Sequence, residues 1–119
     1  MPYQISQRPD YLRGVIGNSA SADEFAAFYR ELQLRCAELG LERALVVVVP
    51  GDEAPRHEDL GGFHTAGFVE GFRLALVCAT WTLYQACNKA ERTASRAGFQ
   101  VRTFLQEMEG VNWLSNGPS

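Results

Sequence analysis

With 119 residues, 46% hydrophobic and 21% charged, the chain has the size and composition of one folded domain, able to bury about two-thirds of the surface its unfolded form exposes. Its formal net charge of −3 offers no field for polyanions, which argues against nucleic acid as a partner. No apolar run approaches the roughly 18 residues of a membrane helix and the opening residues are too polar for a secretory signal; Cys36, Cys78 and Cys87, each in an apolar pattern and without a C-x-x-C pair, predict buried free thiols in a cytoplasmic protein rather than disulfides or a zinc site.

Taken in order, Tyr3 and Ile5, then Tyr11, Leu12, Val15 and Ile16, make two short strand-like runs joined by a turn at Arg8, Pro9 and Asp10, the pattern of an edge hairpin. Gly14 and Gly17 weaken the second run. Ser21 and Glu24 have the spacing of a capping box, and Phe25, Phe28, Tyr29, Leu32, Cys36 and Leu39 follow at helical intervals until Gly40 supplies a stop. ALVVVV, from Ala44 to Val49, is an unbroken apolar run closed by Pro50 and Gly51, so it predicts a central strand covered on both faces.

Residues 51–59 form an acidic loop at the carboxyl end of that strand, the end at which α/β sheets usually place ligand groups. Leu60, Phe63, Gly67, Phe68 and Phe72 have helical spacing, yet each of Gly61, Gly62, Gly67 and Gly71 lowers helix propensity by about 1 kcal/mol, which predicts a short or closely packed helix. Leu74 to Cys78 is a second buried parallel strand. Thr80 or Thr82 caps a helix running to about residue 97, with Tyr84, Cys87, Ala90 or Glu91, Ala94 and Ala97 on a narrow buried face, and Gly98 ends it. Gln100 and Arg102, alternating with Phe99, Val101 and Phe104, complete a strand–helix–strand crossover. A last helix carries Glu107 and Glu109 in its first turn and Met108, Val111 and Leu114 on its apolar face; Trp113 seals one end of the core, and the chain frays from about residue 116. Residues 1–119 thus read as a single domain without repeats or linkers, and its fold class as α/β: a four- to five-stranded, mostly parallel sheet with an antiparallel edge strand, packed with about four helices.

The residues able to move a proton or hold a metal gather at Asp52, Glu53, His57, Glu58, Asp59 and His64, but their spacing matches no ligand motif, and a solvated acidic loop is the commoner setting for such histidines. The glycines of GGFHTAGFVEG match neither phosphate-loop pattern and are read as close helix packing. Lys89, Arg92 and Arg96 share a helical face of ordinary solvated character. Phe63, Phe68 and Phe72 with Trp81 and Tyr84 either fill a core or line an apolar pocket.

The element order, together with RLALVCA, the Ala90–Glu91 pair, AGFQVRTF and EGVNWL, resembles the second half of the SpoIIAA-like, or STAS-like, family, in which a strand, an AE-containing helix, a strand ending in Phe and an A-x-x-W-L helix recur. Glu109, Val111, Trp113 and Leu114 stand in that last motif, with Gly110 and Val111 where alanines are commoner. The resemblance spans about residues 11–115 and implies the STAS-like fold. STAS domains that antagonise anti-sigma factors carry a phosphorylatable Ser or Thr after the central strand. No such residue lies between Val49 and Thr65 here, and Thr65 falls inside the predicted helix, so the switch is not expected.

With no catalytic spacing, no nucleophile elbow, no metal and no cofactor indicated, the expected function is a non-enzymatic binding module for a protein partner or a small apolar ligand. Its expected ligand-binding residues are Phe63, His64, Phe68, Trp81 and Tyr84, gathered at the carboxyl edge of the parallel strands. The alternatives are a self-associating domain that forms a homodimer, or a small enzyme using His57 and His64.

Overall fold

The computed structural model describes residues 3–17, 22–49, 72–78, 80–81, 84–85, 88, 91–92 and 100–116. Five strands, β1 (Tyr3–Gln7), β2 (Leu12–Gly17), β3 (Arg43–Val49), β4 (Arg73–Cys78) and β5 (Gln100–Phe104), lie in one sheet in that order. β1 is antiparallel to β2, and every other pair is parallel. The turn between β1 and β2 is closed by the Arg8 amide donating to the Tyr11 carbonyl at 2.9 Å. The expected hairpin, the mostly parallel sheet and the adjacent central strands are therefore present. β3 is the middle strand, and its alternation explains why the unbroken run was required: Ala44, Val46 and Val48 face one core while Leu45 faces another.

The larger core lies beneath α1 (Ala22–Leu39), whose Phe25, Phe28, Tyr29, Leu32 and Cys36 are buried against Leu12, Ile16 and the alternate residues of β3 and β4. The helix stops where expected. Gly40 takes φ +70°, the Leu41 amide donates to the Cys36 carbonyl at 2.9 Å, and the Gly40 amide donates more weakly to Ala37. This turn folds Leu41 back onto the core, so Leu39, expected inside, is 46% exposed instead. Ser21 of the expected capping box lies outside the described residues.

The smaller core, on the opposite face, is closed by α2 (Glu107–Asn116). Gly110 brings this helix close: a Cβ there would meet Leu45 and Ala75 at 3.2 and 3.3 Å. The buried face is consequently centred on Gly110 and Leu114, flanked by Val111 and Trp113, and Met108, expected on it, is turned out to 73% exposure. Trp113 packs against Phe104, ring centroids 6.0 Å apart. Asn116 still belongs to the helix rather than to the frayed end. In β5 the side chains turned to the larger core are Val101 and Thr103, while Phe104 joins the smaller core.

Between β4 and β5, Trp81, Tyr84, Gln85, Asn88, Glu91 and Arg92 are helical. The Tyr84 amide donates to the Thr80 carbonyl at 2.9 Å, so Thr80 occupies the N-cap position. The helix expected over residues 60–72 lies outside the described residues apart from Phe72. No described helix is long and apolar enough to cross a membrane.

One expectation is overturned by the sulfurs. Cys36 is a free, buried thiol, but Cys78 is disulfide-bonded, its partner sulfur lying outside the described residues. Apolar periodicity places each cysteine in a covered position and says nothing about which covered positions meet. The inference of a reducing compartment from three free thiols goes with it.

Candidate functional site

The carboxyl ends of the parallel strands define one edge of the sheet. Gly17, Val49 and Cys78 close β2, β3 and β4 there. Val49, expected to be covered, is 42% exposed, as the following Pro50–Gly51 breaker allows. Cys78 is fully buried, so its disulfide anchors the chain immediately before the exposed Thr80 and Trp81.

Trp81 is 63% exposed, an unusual position for the largest apolar side chain. Its ring stacks on Tyr84, centroids 5.4 Å apart and planes inclined by 14°. Tyr84 in turn packs against the larger core. The spacing of three residues on one helical face produces this pair, and Tyr84 is packed against the core while Trp81 is largely open to solvent.

Of the five residues expected to bind a ligand, Trp81 and Tyr84 are thus brought together, whereas Phe63, His64 and Phe68 lie outside the described residues. Asp52, Glu53, His57, Glu58 and Asp59 lie outside them too. Phe72, grouped with these aromatics on sequence, is buried in the larger core at the amino end of β4, the opposite end of the strand from Trp81. Arg92 is exposed, as a solvated face requires.

Two open hollows, of about 330 and 530 Å³, flank β1 and α1 instead. Glu31 and Arg35, which line both, are already partnered. Tyr3 donates from its hydroxyl to Glu31 Oε1 at 3.0 Å, and Arg35 pairs with Glu31 Oε2 at 3.1 Å. Burial, then donation to Glu31, pushes the Tyr3 hydroxyl above its ordinary pKa, so the tyrosine stays protonated and the relay intact. A self-satisfied cluster of this kind is a scaffold feature, and the carboxyl edge is the better site.

Glu91, which its spacing offers as an alternative to Ala90 on the buried face, has a specific structural contact that the sequence does not show. Its carboxylate accepts from the Thr103 backbone amide at 2.7 Å, tying the crossover helix to the outermost described strand, β5. The Ala90–Glu91 pair within an otherwise periodic helix was the available signal. Comparison with protein-family models, curated proteins and solved structures finds no match to this chain.

Proposed function

We propose that this domain is a non-enzymatic binding module of the SpoIIAA-like, STAS-like kind, which holds an apolar group presented by a small molecule or a protein partner at the carboxyl edge of its sheet. The observation behind this reading is Trp81: a large, exposed aromatic face, stacked on a core-anchored tyrosine at the strand ends where α/β sheets collect ligands. Aromatic anchors of this type contribute large contact area at small entropic cost on binding. To Trp81 and Tyr84 this reading adds Phe63, His64 and Phe68, which follow the neighbouring central strand in the sequence, as ligand-binding residues. The lack of a hydroxyl residue between Val49 and Thr65 leaves this edge without the phosphorylation switch of the anti-sigma-factor antagonists.

The test is a titration with the uncharged dye Nile red in a Trp113→Phe background, where Trp81 is the sole indole. Saturable quenching of Trp81, weakened by Phe63→Ala more than that variant lowers the melting temperature, is the expected result. If Phe63→Ala instead loses the ~3–5 kcal/mol of a buried core aromatic and leaves the dye response unchanged, the site is not there. Sedimentation of the same samples identifies the occupant: a dimer abolished by Trp81→Ala would assign the edge to a second copy of the chain.

A further inference from the structure

A second site, independent of the carboxyl edge, stands at the opposite end of the sheet. Arg43 and Arg73 open β3 and β4 and face each other in register across two parallel strands, about 4.8 Å apart. The next partner of Arg73 is Gln100, and Arg102, two residues on, pairs with Ala75. Alternation puts all four side chains on one face, because Arg43 shares its side with Leu45 and Arg73 and Arg102 share theirs with Ala75, the residues that build the smaller core. Arg43, Arg73 and Gln100 thus leave the sheet in one row at the amino end of that core, and Arg102 leaves it on the same face one row of pairs further along.

Like charges placed directly opposite each other on neighbouring strands repel, and in an acidic chain such an arrangement calls for a partner. Two other arginines show how a partner can be supplied: Arg13 is paired with Glu107 and Arg35 with Glu31. Among the described residues Arg43, Arg73 and Arg102 have no ion pair. Moreover, Nη1 of Arg73 is buried and has no hydrogen-bond partner. A buried guanidinium nitrogen without an acceptor is costly, and the group that cures it is an anion with several oxygens. Gln100 and Arg102 are exposed and Arg43 and Arg73 half-buried, so the cluster is open to such a group from solvent.

We propose that Arg43, Arg73 and Arg102, assisted by Gln100, bind a phosphate group. A single carboxylate would neutralise one of three cations, whereas a phosphate dianion presents enough oxygens for all three planar guanidinium forks. The net charge of −3 disfavours a polyanionic chain, so the phosphate is free or carried by a small molecule.

The experiment is an NMR titration of the full chain with inorganic phosphate at constant ionic strength, chloride replacing phosphate in the control, with adenosine monophosphate as a second arm. Saturable shifts confined to the amides of residues 43, 73 and 102 and their neighbours are expected, weakened about tenfold in Arg73→Met and several-fold in Arg102→Ala, and unchanged in Arg30→Ala, which alters an exposed arginine on α1. Tighter binding of the nucleotide than of phosphate would place the group on a larger molecule, and equal binding would make phosphate itself sufficient. Identical shifts with chloride, or undiminished binding in Arg102→Ala, overturn the proposal; the latter variant is at an exposed position and keeps the test decisive should Arg73→Met fail to fold.

Discussion

Gly14 of β2 lies directly beneath the ring of Phe28 on α1: a Cβ at Gly14 would stand 2.5 Å from Phe28 Cζ and 2.7 Å from Cε1. Strand propensity alone makes glycine the weak residue here and alanine an improvement. The packing reverses that sign. Phe28 is fully buried between Tyr3 and Tyr29, ring centroids 5.1 and 5.3 Å away, so it has no open space into which to yield. Gly14→Ala should lower stability in urea unfolding by about 1–3 kcal/mol, the range for overpacked cores. Combining it with Phe28→Leu should recover part of the loss, and additive losses would show that the two residues do not compete for the same space.

Arg13 clamps Glu107 with two hydrogen bonds, Nε to Oε2 at 2.7 Å and Nη2 to Oε1 at 2.9 Å, joining β2 to the first turn of α2. Those bonds hold the Glu107 carboxyl below its ordinary pKa. Folding thus favours the ionised form: the contribution is present above the ordinary carboxylate range and is lost as pH falls through the lowered folded-state value. Both side chains keep partial access to water, so Glu107→Gln should cost only about 0.5–1 kcal/mol at neutral pH. The difference from wild type should shrink below about pH 4. A gap that persists undiminished at acid pH would mean that the side-chain shape, rather than its charge, is what the site uses.

The legible part of this fold was the part written in apolar periodicity. The valines of β3, the run from Leu74 to Cys78 and the heptad-like face of α1 each have one solution once both faces of the sheet must be covered. What escaped was decided by contacts between distant segments. Met108 fits a helical apolar face as well as Gly110 does until Leu45 and Ala75 are known to lie beneath the glycine. Leu39 continues the pattern of α1, and only the fold-back of Leu41 displaces it. Phe72 and Trp81 look alike as members of an aromatic cluster, yet a six-residue strand separates the core end from the solvent end. At the site, the Trp81–Tyr84 spacing could be read from the sequence, whereas the meeting of Arg43 with Arg73 depends on strand register, which no local pattern encodes.

Glu91 offers a test of how the crossover helix is fastened. The Thr103 amide points away from β4, where a further strand would otherwise bond it, and the Glu91 carboxylate accepts it at 2.7 Å. The contact satisfies one group of an outer strand and occupies a position where another chain would pair. Glu91→Ala should cost about 1–3 kcal/mol, the penalty of a partly buried donor left without an acceptor, and should raise the tendency to associate at high concentration. Glu91→Gln, which keeps an acceptor oxygen without the charge, should lose less. Light scattering and urea unfolding measure the two effects separately, and a Glu91→Gln variant as unstable as Glu91→Ala would show that the carboxylate charge, not the acceptor, matters.

Cys36 provides a prediction at the alkaline end. Its side chain is buried under α1, with Sγ directed at the Arg43 carbonyl 3.9 Å away, and burial pushes its thiol pKa up to about 12. A thiol whose folded pKa lies above its unfolded value contributes stability that is fully present below the unfolded value and is lost as pH rises toward the folded one. The unfolded thiol ionises near pH 8.5–9, so stability should begin to fall there, reaching a loss on the order of 1–2 kcal/mol by pH 10. Cys36→Ala removes the titrating group. It should be less stable than wild type at pH 7, because a small cavity remains, yet flatter between pH 8.5 and 10. The same burial predicts that iodoacetamide at pH 8 labels Cys36 only through opening of the fold, with a rate that rises with urea in step with the unfolded fraction. Labelling as fast as that of a free cysteine peptide would remove Cys36 from the core, and with it the packing of α1 on the start of β3.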